Sequence, residues 1–105
     1  MLRDYRSRAR LFRALGHPAR QQILEILARE PTWVCDLMQQ IGHRQPYISQ
    51  QLAILREAGL VTVEREGLNM RYHLVSPDLL IVLQAGADWI SLVEQPLADD
   101  SEMEE

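Results

Sequence analysis

At 105 residues the chain has room for one domain with a modest core, a size at which burial is often completed by self-association. No run of about 18 apolar residues offers a membrane span, and the Arg-rich start lacks the apolar centre of a secretory signal, so a cytoplasmic protein with no membrane partner is expected. A single cysteine, Cys35, excludes an internal disulfide and leaves packing to hold the fold. The net charge of −4 argues against a polyanion partner until it is divided along the chain. Residues 1–56 carry nine of the eleven basic residues, all Arg, against four acids, for +5; residues 57–105 carry −9. Five of those acids lie in the last seven residues, so 96–105 reads as a flexible acidic tail beyond a domain spanning 1–95.

Residues 3–14 have helical periodicity, with Tyr5, Ala9, Leu11, Phe12 and Leu15 available for burial, Arg3, Arg6, Arg10 and Arg13 on wet positions, and Gly16 as the stop. His17 is expected to cap a second helix that has Pro18 in its first turn, turns Ile23, Leu24 and Leu27 inward, and ends at Pro31. Thr32 is expected to be the N-cap of a third helix carrying Trp33, Val34, Leu37, Met38 and Ile41, with Asp36 in its first turn and Gly42 as its stop. After His43 in the turn, a fourth helix opens at Gln45-Pro46, buries Ile48, Leu52 and Leu55, and closes at Ala58-Gly59. Its opposite face is read as Gln45, Tyr47, Ser49, Gln50 and Gln51, a hydrogen-bonding set without a carboxylate.

Beyond Leu60 the period drops to two. Val61 and Val63 alternate with Thr62 and Glu64, and Met70, Tyr72 and Leu74 alternate with Arg71, His73 and Val75, around a turn at Glu66-Gly67-Leu68-Asn69 where Gly and Asn tolerate positive φ. Ser76-Pro77-Asp78 then starts a last helix to about Glu94. Its apolar positions Leu79, Leu80, Leu83, Ala87, Ile90 and Val93 exceed what one small core can take, which implies a homodimer packed through the first and last helices. The fold expected is mainly α with a little β: a winged helix-turn-helix of about five helices plus a two-stranded β-hairpin wing. The partner expected is double-stranded DNA, because an amide- and hydroxyl-rich helix face without carboxylates suits base edges. A winged helix used only to bind another protein is the alternative, and steep salt dependence separates the two. No nucleophile with a base, paired catalytic carboxylates or phosphate loop points to an enzyme.

The segments LFRALGHPARQQILEIL, VCDLMQQIGHRQPYISQQLAILREAGLV and EREGLNMRYHL resemble the ArsR/SmtB family of bacterial repressors, over about residues 8–95. The resemblance implies a dimer that represses from a partly palindromic operator until an inducer, commonly a metal or metalloid ion, releases it. The family's recognition positions fall on Gln45, Pro46, Ser49 and Gln50, and geometry adds Tyr47. Arg44 stands ahead of the helix as a phosphate clamp, and the wing would bring Arg65, Asn69 and Arg71 to the backbone or minor groove. Leu68 stands where the wing tip commonly carries a basic residue. The family's thiolate sensor positions hold Trp33, Cys35 and Met38, and its last-helix metal positions hold Asp78, Leu80, Ser91 and Glu94. Neither set makes a good soft-metal or zinc site, so no cofactor is expected, with a metal or metalloid ion as the alternative. Cys35 is read as a buried, inert thiol, with a reactive sensor thiol as the alternative. His17, His43 and His73 are scattered and read as structural or solvated.

Overall fold

A computed structural model describes residues 4–97, and in it the polar and apolar periodicities become five helices and a small antiparallel sheet. Helix α1 (Tyr5–Leu15) begins where the Asp4 carboxylate accepts from the backbone N–H of Arg6 and Ser7 and from the Ser7 hydroxyl. The Ser7 hydroxyl, followed by the Ser7 backbone N–H, holds the Asp4 carboxyl below its ordinary pKa. Helix α2 (Pro18–Arg29) is capped as expected: the His17 Nδ1 accepts from the Ala19 N–H at 3.1 Å, with Pro18 in the first turn. Glu30 then turns fully extended ahead of Pro31, which disfavours the helical conformation in the residue before it.

Thr32 does not cap the next helix. Thr32–Trp33 form a short strand, β1, in which Thr32 is buried and its hydroxyl donates to the Glu30 carbonyl at 2.9 Å. Helix α3 (Val34–Ile41) therefore starts from Trp33 with no side-chain cap, although Asp36 does stand in its first turn. The turn into helix α4 (Gln45–Glu57) needs a left-handed residue, and Gly42 supplies it with φ 87° while its N–H reaches the Met38 carbonyl at 2.8 Å.

Strands β2 (Val61–Glu66) and β3 (Asn69–Leu74) pair antiparallel, Val61 opposite Leu74 through Glu66 opposite Asn69. Only Gly67 and Leu68 remain as loop residues. Gly67 takes φ 64° and Leu68 and Asn69 do not turn positive, the pattern of a type II′ turn, so Gly alone carries the strained position. The expected two-stranded wing is three-stranded at its base: β1 adds to β3, with Thr32 opposite Tyr72 and Trp33 opposite Arg71, giving the order β1-β3-β2.

The core is one cluster in which Ile23 and Leu24 from α2, Leu37 from α3, and Ile48, Leu52 and Leu55 from α4 have no solvent exposure. Burial of each such side chain contributes about 1.5–3 kcal/mol, which is what fixes α4 against α2 and α3. Helix α5 (Leu79–Leu97) rests on α2 and gives Leu79, Val82 and Leu83 to this cluster. The remainder of the segment expected to be an acidic tail lies outside the described residues. Much of the apolar surface of α1 and α5 stays exposed: Tyr5 and Phe12 on α1, and Ile81, Trp89, Ile90 and Leu92 on α5, Trp89 to 62%. The radius of gyration is 16.4 Å, against about 13 Å for a compact domain of this length.

Candidate nucleic-acid interface

The first two turns of α4 present Arg44, Gln45, Pro46, Ser49 and Gln50 together on the surface, all exposed. Arg44 is the N-cap residue and is exposed, which leaves a guanidinium at the helix N-terminus open to solvent. The opposite stripe of the same helix is the buried Ile48-Leu52-Leu55 set. An anionic partner would meet a helix start with its backbone N–H groups, one guanidinium and three hydrogen-bonding side chains.

Two residues expected on that open face are turned away from it. Tyr47 is half-buried, its Oη 3.3 Å from the His17 Nε2 and its ring against His43 at a centroid distance of 4.2 Å. Because the His17 Nδ1 accepts from the Ala19 N–H, neutral His17 carries its proton on Nε2 and donates it to the Tyr47 oxygen. Tyr47 thus braces the start of α4 against α2. Gln51 is only 5% exposed, and its Oε1 accepts from the Arg20 Nη1 at 2.8 Å. Its position explains this: three residues after Ile48 and four before Leu55, Gln51 lies at the edge of the buried stripe. In the sequence Arg20 stands only as the last residue of the Ala14-Leu15-Gly16-His17-Pro18-Ala19-Arg20 segment that carries the family resemblance, with no role assigned to it.

The wing divides its three candidate residues. Arg65 is exposed and forms no ion pair among the described residues, and Asn69 is exposed where the hairpin begins to return. Arg71 is instead held on the outer face of the sheet. Its Nη2 lies 3.2 Å from the Glu64 Oε1, and its guanidinium sits 5.1 Å from the centre of the Trp33 ring. Strand alternation puts Arg71 on the face opposite Met70, and Met70 lines the groove beside α4, so Arg71 points away from that groove. Leu68 at the wing tip is 100% exposed.

Glu64 also accepts from the His73 Nε2 at 2.9 Å. That hydrogen bond first, and the one from Arg71 second, hold the Glu64 carboxyl below its ordinary pKa. A depressed carboxylate stabilises the fold above its unfolded pKa and loses that contribution as pH falls through the folded value. Site-resolved carbon NMR titration is therefore expected to find Glu64 ionising at lower pH than glutamate in an unfolded peptide, with the shift reduced in His73→Ala. An unshifted midpoint contradicts the bonded geometry.

Between the wing and the helix pair lies a groove of about 430 Å³ lined by Cys35 and Met38 from α3, Gln45 and Ser49 from α4, and Asn69 and Met70 from the wing. Cys35 is exposed there, which corrects the expectation of a buried thiol. The family's thiolate positions do not fit a soft metal: Trp33 is in β1 against Arg71, Cys35 is one thiol, and Met38 packs on the core. Asp78 and Glu94 are exposed carboxylates with Leu80 and Ser91 at the remaining last-helix positions, a donor set without imidazole. Among the described residues, no three His, Cys, Asp or Glu side chains come together as a metal-binding group, and no helix is long and apolar enough to cross a membrane.

Comparison with known proteins agrees with this arrangement. Residues 17–63, from the α2 cap into β2, match the profile of the arsR family of bacterial regulatory proteins. A helix-turn-helix-type transcriptional regulator of Mycobacterium tuberculosis is 39% identical over 80 residues, covering 75% of this chain and 70% of that protein. The crystal structure of the same regulator superposes with a TM-score of 0.80 at 32% identity, covering 93% of this chain and 99% of that one. The biofilm growth-associated repressor of Agrobacterium fabrum is 38% identical over 75 residues, covering 71% of this chain and 64% of the repressor. A Mycobacterium bovis structure described as a homodimeric winged helix-turn-helix DNA-binding domain superposes with a TM-score of 0.74 at 30% identity, covering 87% of this chain and 85% of that one.

Proposed function

Since the chain belongs to the arsR family of bacterial regulatory proteins, we propose that it is a dimeric transcriptional repressor that reads a partly palindromic operator with the first two turns of α4. The observation that carries this reading is the exposed Arg44, Gln45, Ser49 and Gln50 surface, free of carboxylates, at a helix start. Gln45 and Gln50 supply amides matched to adenine N6 and N7, Ser49 a hydroxyl for base or phosphate, Pro46 close contact, and Arg44 a phosphate clamp. Arg65 and Asn69 extend the contact along the wing, whereas Arg71 serves the wing's own structure through Glu64 and Trp33.

The dimer forms through the exposed apolar side chains of α1 and α5, where Phe12, Leu15, Val82, Leu83, Trp89 and Ile90 line one groove. A two-fold axis there spaces the two α4 helices to meet successive major grooves, about 34–36 Å apart. Repression ends when an inducer favours a dimer conformation that misplaces this spacing. The inducer uses neither of the family's usual metal-ligand sets, because the donors at those positions do not suit such an ion. The protein acts in the cytoplasm and is not an enzyme. Footprinting on the DNA upstream of its own gene tests the reading. Two protected half-sites about one helical turn apart are expected, and protection without sequence preference would overturn it.

A further inference from the structure

We propose that Arg20 is a positioning residue for operator recognition, a rigid link between the end of α1 and the second turn of α4; this rests on the reading of α4 as the recognition helix. Arg20 lies in the first turn of α2, half-buried, and its guanidinium makes three bonds to two other helices. Nε donates to the Ala14 carbonyl at 2.7 Å and Nη2 to the Arg13 carbonyl at 3.0 Å, both in the last turn of α1. Nη1 donates to the Gln51 Oε1 at 2.8 Å.

Each end of that link has a physical reason. The last carbonyls of α1 sit at the negative end of the helix dipole, where a guanidinium is favourable; the Arg13 carbonyl also accepts from the Gly16 N–H at 3.2 Å, so Arg20 adds a second donor there. Gln51 is buried at the edge of the α4 core stripe, where its amide oxygen needs a donor. The fork is planar and holds its donors in fixed directions, so α1 and Gln51 cannot move independently while all three bonds are kept. A lysine ammonium at this position offers no such fork.

The link ends next to the residues that face outward. Gln51 directly follows Gln50 and lies two residues after Ser49. One turn earlier, the His17–Tyr47 bond joins the same two helices, so α4 is attached to the start of α2 by two polar rungs. At its other end Arg20 holds α1, the helix that exposes Tyr5 and Phe12. Any change in the seating of α1 must break the Arg20 bonds or shift the turn of α4 that carries Ser49 and Gln50. Arg20 touches no DNA in this scheme and acts through Gln51.

The test compares the wild-type chain with Arg20→Lys, Gln51→Leu, Gln51→Glu and the Arg20→Lys/Gln51→Leu double variant. Each is titrated by fluorescence anisotropy, at one salt concentration, against its upstream DNA and a scrambled duplex of equal length, with sedimentation and denaturation midpoints alongside. Arg20→Lys and Gln51→Leu are each expected to lose about three- to tenfold in affinity for the upstream DNA and nothing for the scrambled duplex, while remaining dimeric. Gln51→Glu keeps an acceptor for the guanidinium and is expected within about twofold of wild type. The double variant is expected to be no worse than the poorer single one, as two ends of one link require. If Gln51→Leu does not fold, Arg20→Lys with Gln51→Glu carries the same comparison. Unchanged preference in the single variants, equal loss on both duplexes, or additive losses overturn the link alone. A wild-type chain that does not distinguish the two duplexes overturns it together with the operator-reading function.

Discussion

Gln50→Ala is expected to weaken binding to the operator by at least about 30-fold while leaving the denaturation midpoint where it was. An amide paired bidentately with adenine is worth about 1–3 kcal/mol of discrimination, and a dimer places the substitution in both half-sites, so about 2–6 kcal/mol is at stake. Gln50 is exposed and makes no bond to the rest of the chain among the described residues, which keeps the effect out of the fold. The preference at the base pair beneath Gln50 should relax with the affinity. Gln50→Glu should be worse still, since it puts a carboxylate against base and phosphate acceptors at a helix start that otherwise carries none. Anisotropy against single-base operator variants reads both effects, and wild-type affinity in Gln50→Ala would remove this residue from the interface.

Trp89→Glu is expected to give a folded monomer with at least about a hundredfold weaker operator binding. Trp89 is 62% exposed and lies in the groove that α5 forms with Phe12 of α1, outside the core cluster of α2, α3 and α4. Its substitution therefore costs the single chain little. In a dimer packed through this face, the same carboxylate is buried among apolar side chains without a partner, a cost of several kcal/mol per protomer. Without the dimer the second half-site no longer binds at the high effective concentration that the first one provides, which accounts for the loss. Sedimentation velocity and anisotropy on the same sample check it. A dimer that persists, or a monomer with wild-type affinity, would place the interface elsewhere.

The parts of this molecule legible in its sequence are those whose causes are local. Gly67 marks the hairpin because only a Gly accepts that turn's positive φ, and His17-Pro18 marks a helix start because cap and first-turn residue stand side by side. The Ile48-Leu52-Leu55 stripe marks α4 by its period, and Pro46 and Gly59 mark its two ends. What the sequence does not show depends on partners far along the chain. Thr32 looks like a helix cap until Tyr72 pairs with it, and Arg71 looks like a free wing cation until Trp33 and Glu64 close on it. Tyr47 and Gln51 belong to the recognition helix by position, but His17 and Arg20 draw both of them inward. Cys35 escaped the buried reading for a related reason: the wing stands off from α3 and leaves a groove between them, a spacing no local pattern records.

The charge distribution sharpens what remains to be measured. An overall charge of −4 opposes DNA binding in bulk, so the proposed reading assigns the affinity to the Arg and amide groups at α4 and the wing. The most direct measurement is the affinity for the upstream operator as salt is raised. The account predicts a straight log–log plot with a steep negative slope, about 0.9 per phosphate contacted, and a preference over scrambled DNA that persists at each salt concentration. Affinity that stays flat with salt, or no binding to that DNA, would contradict it and favour a winged helix that docks on another protein.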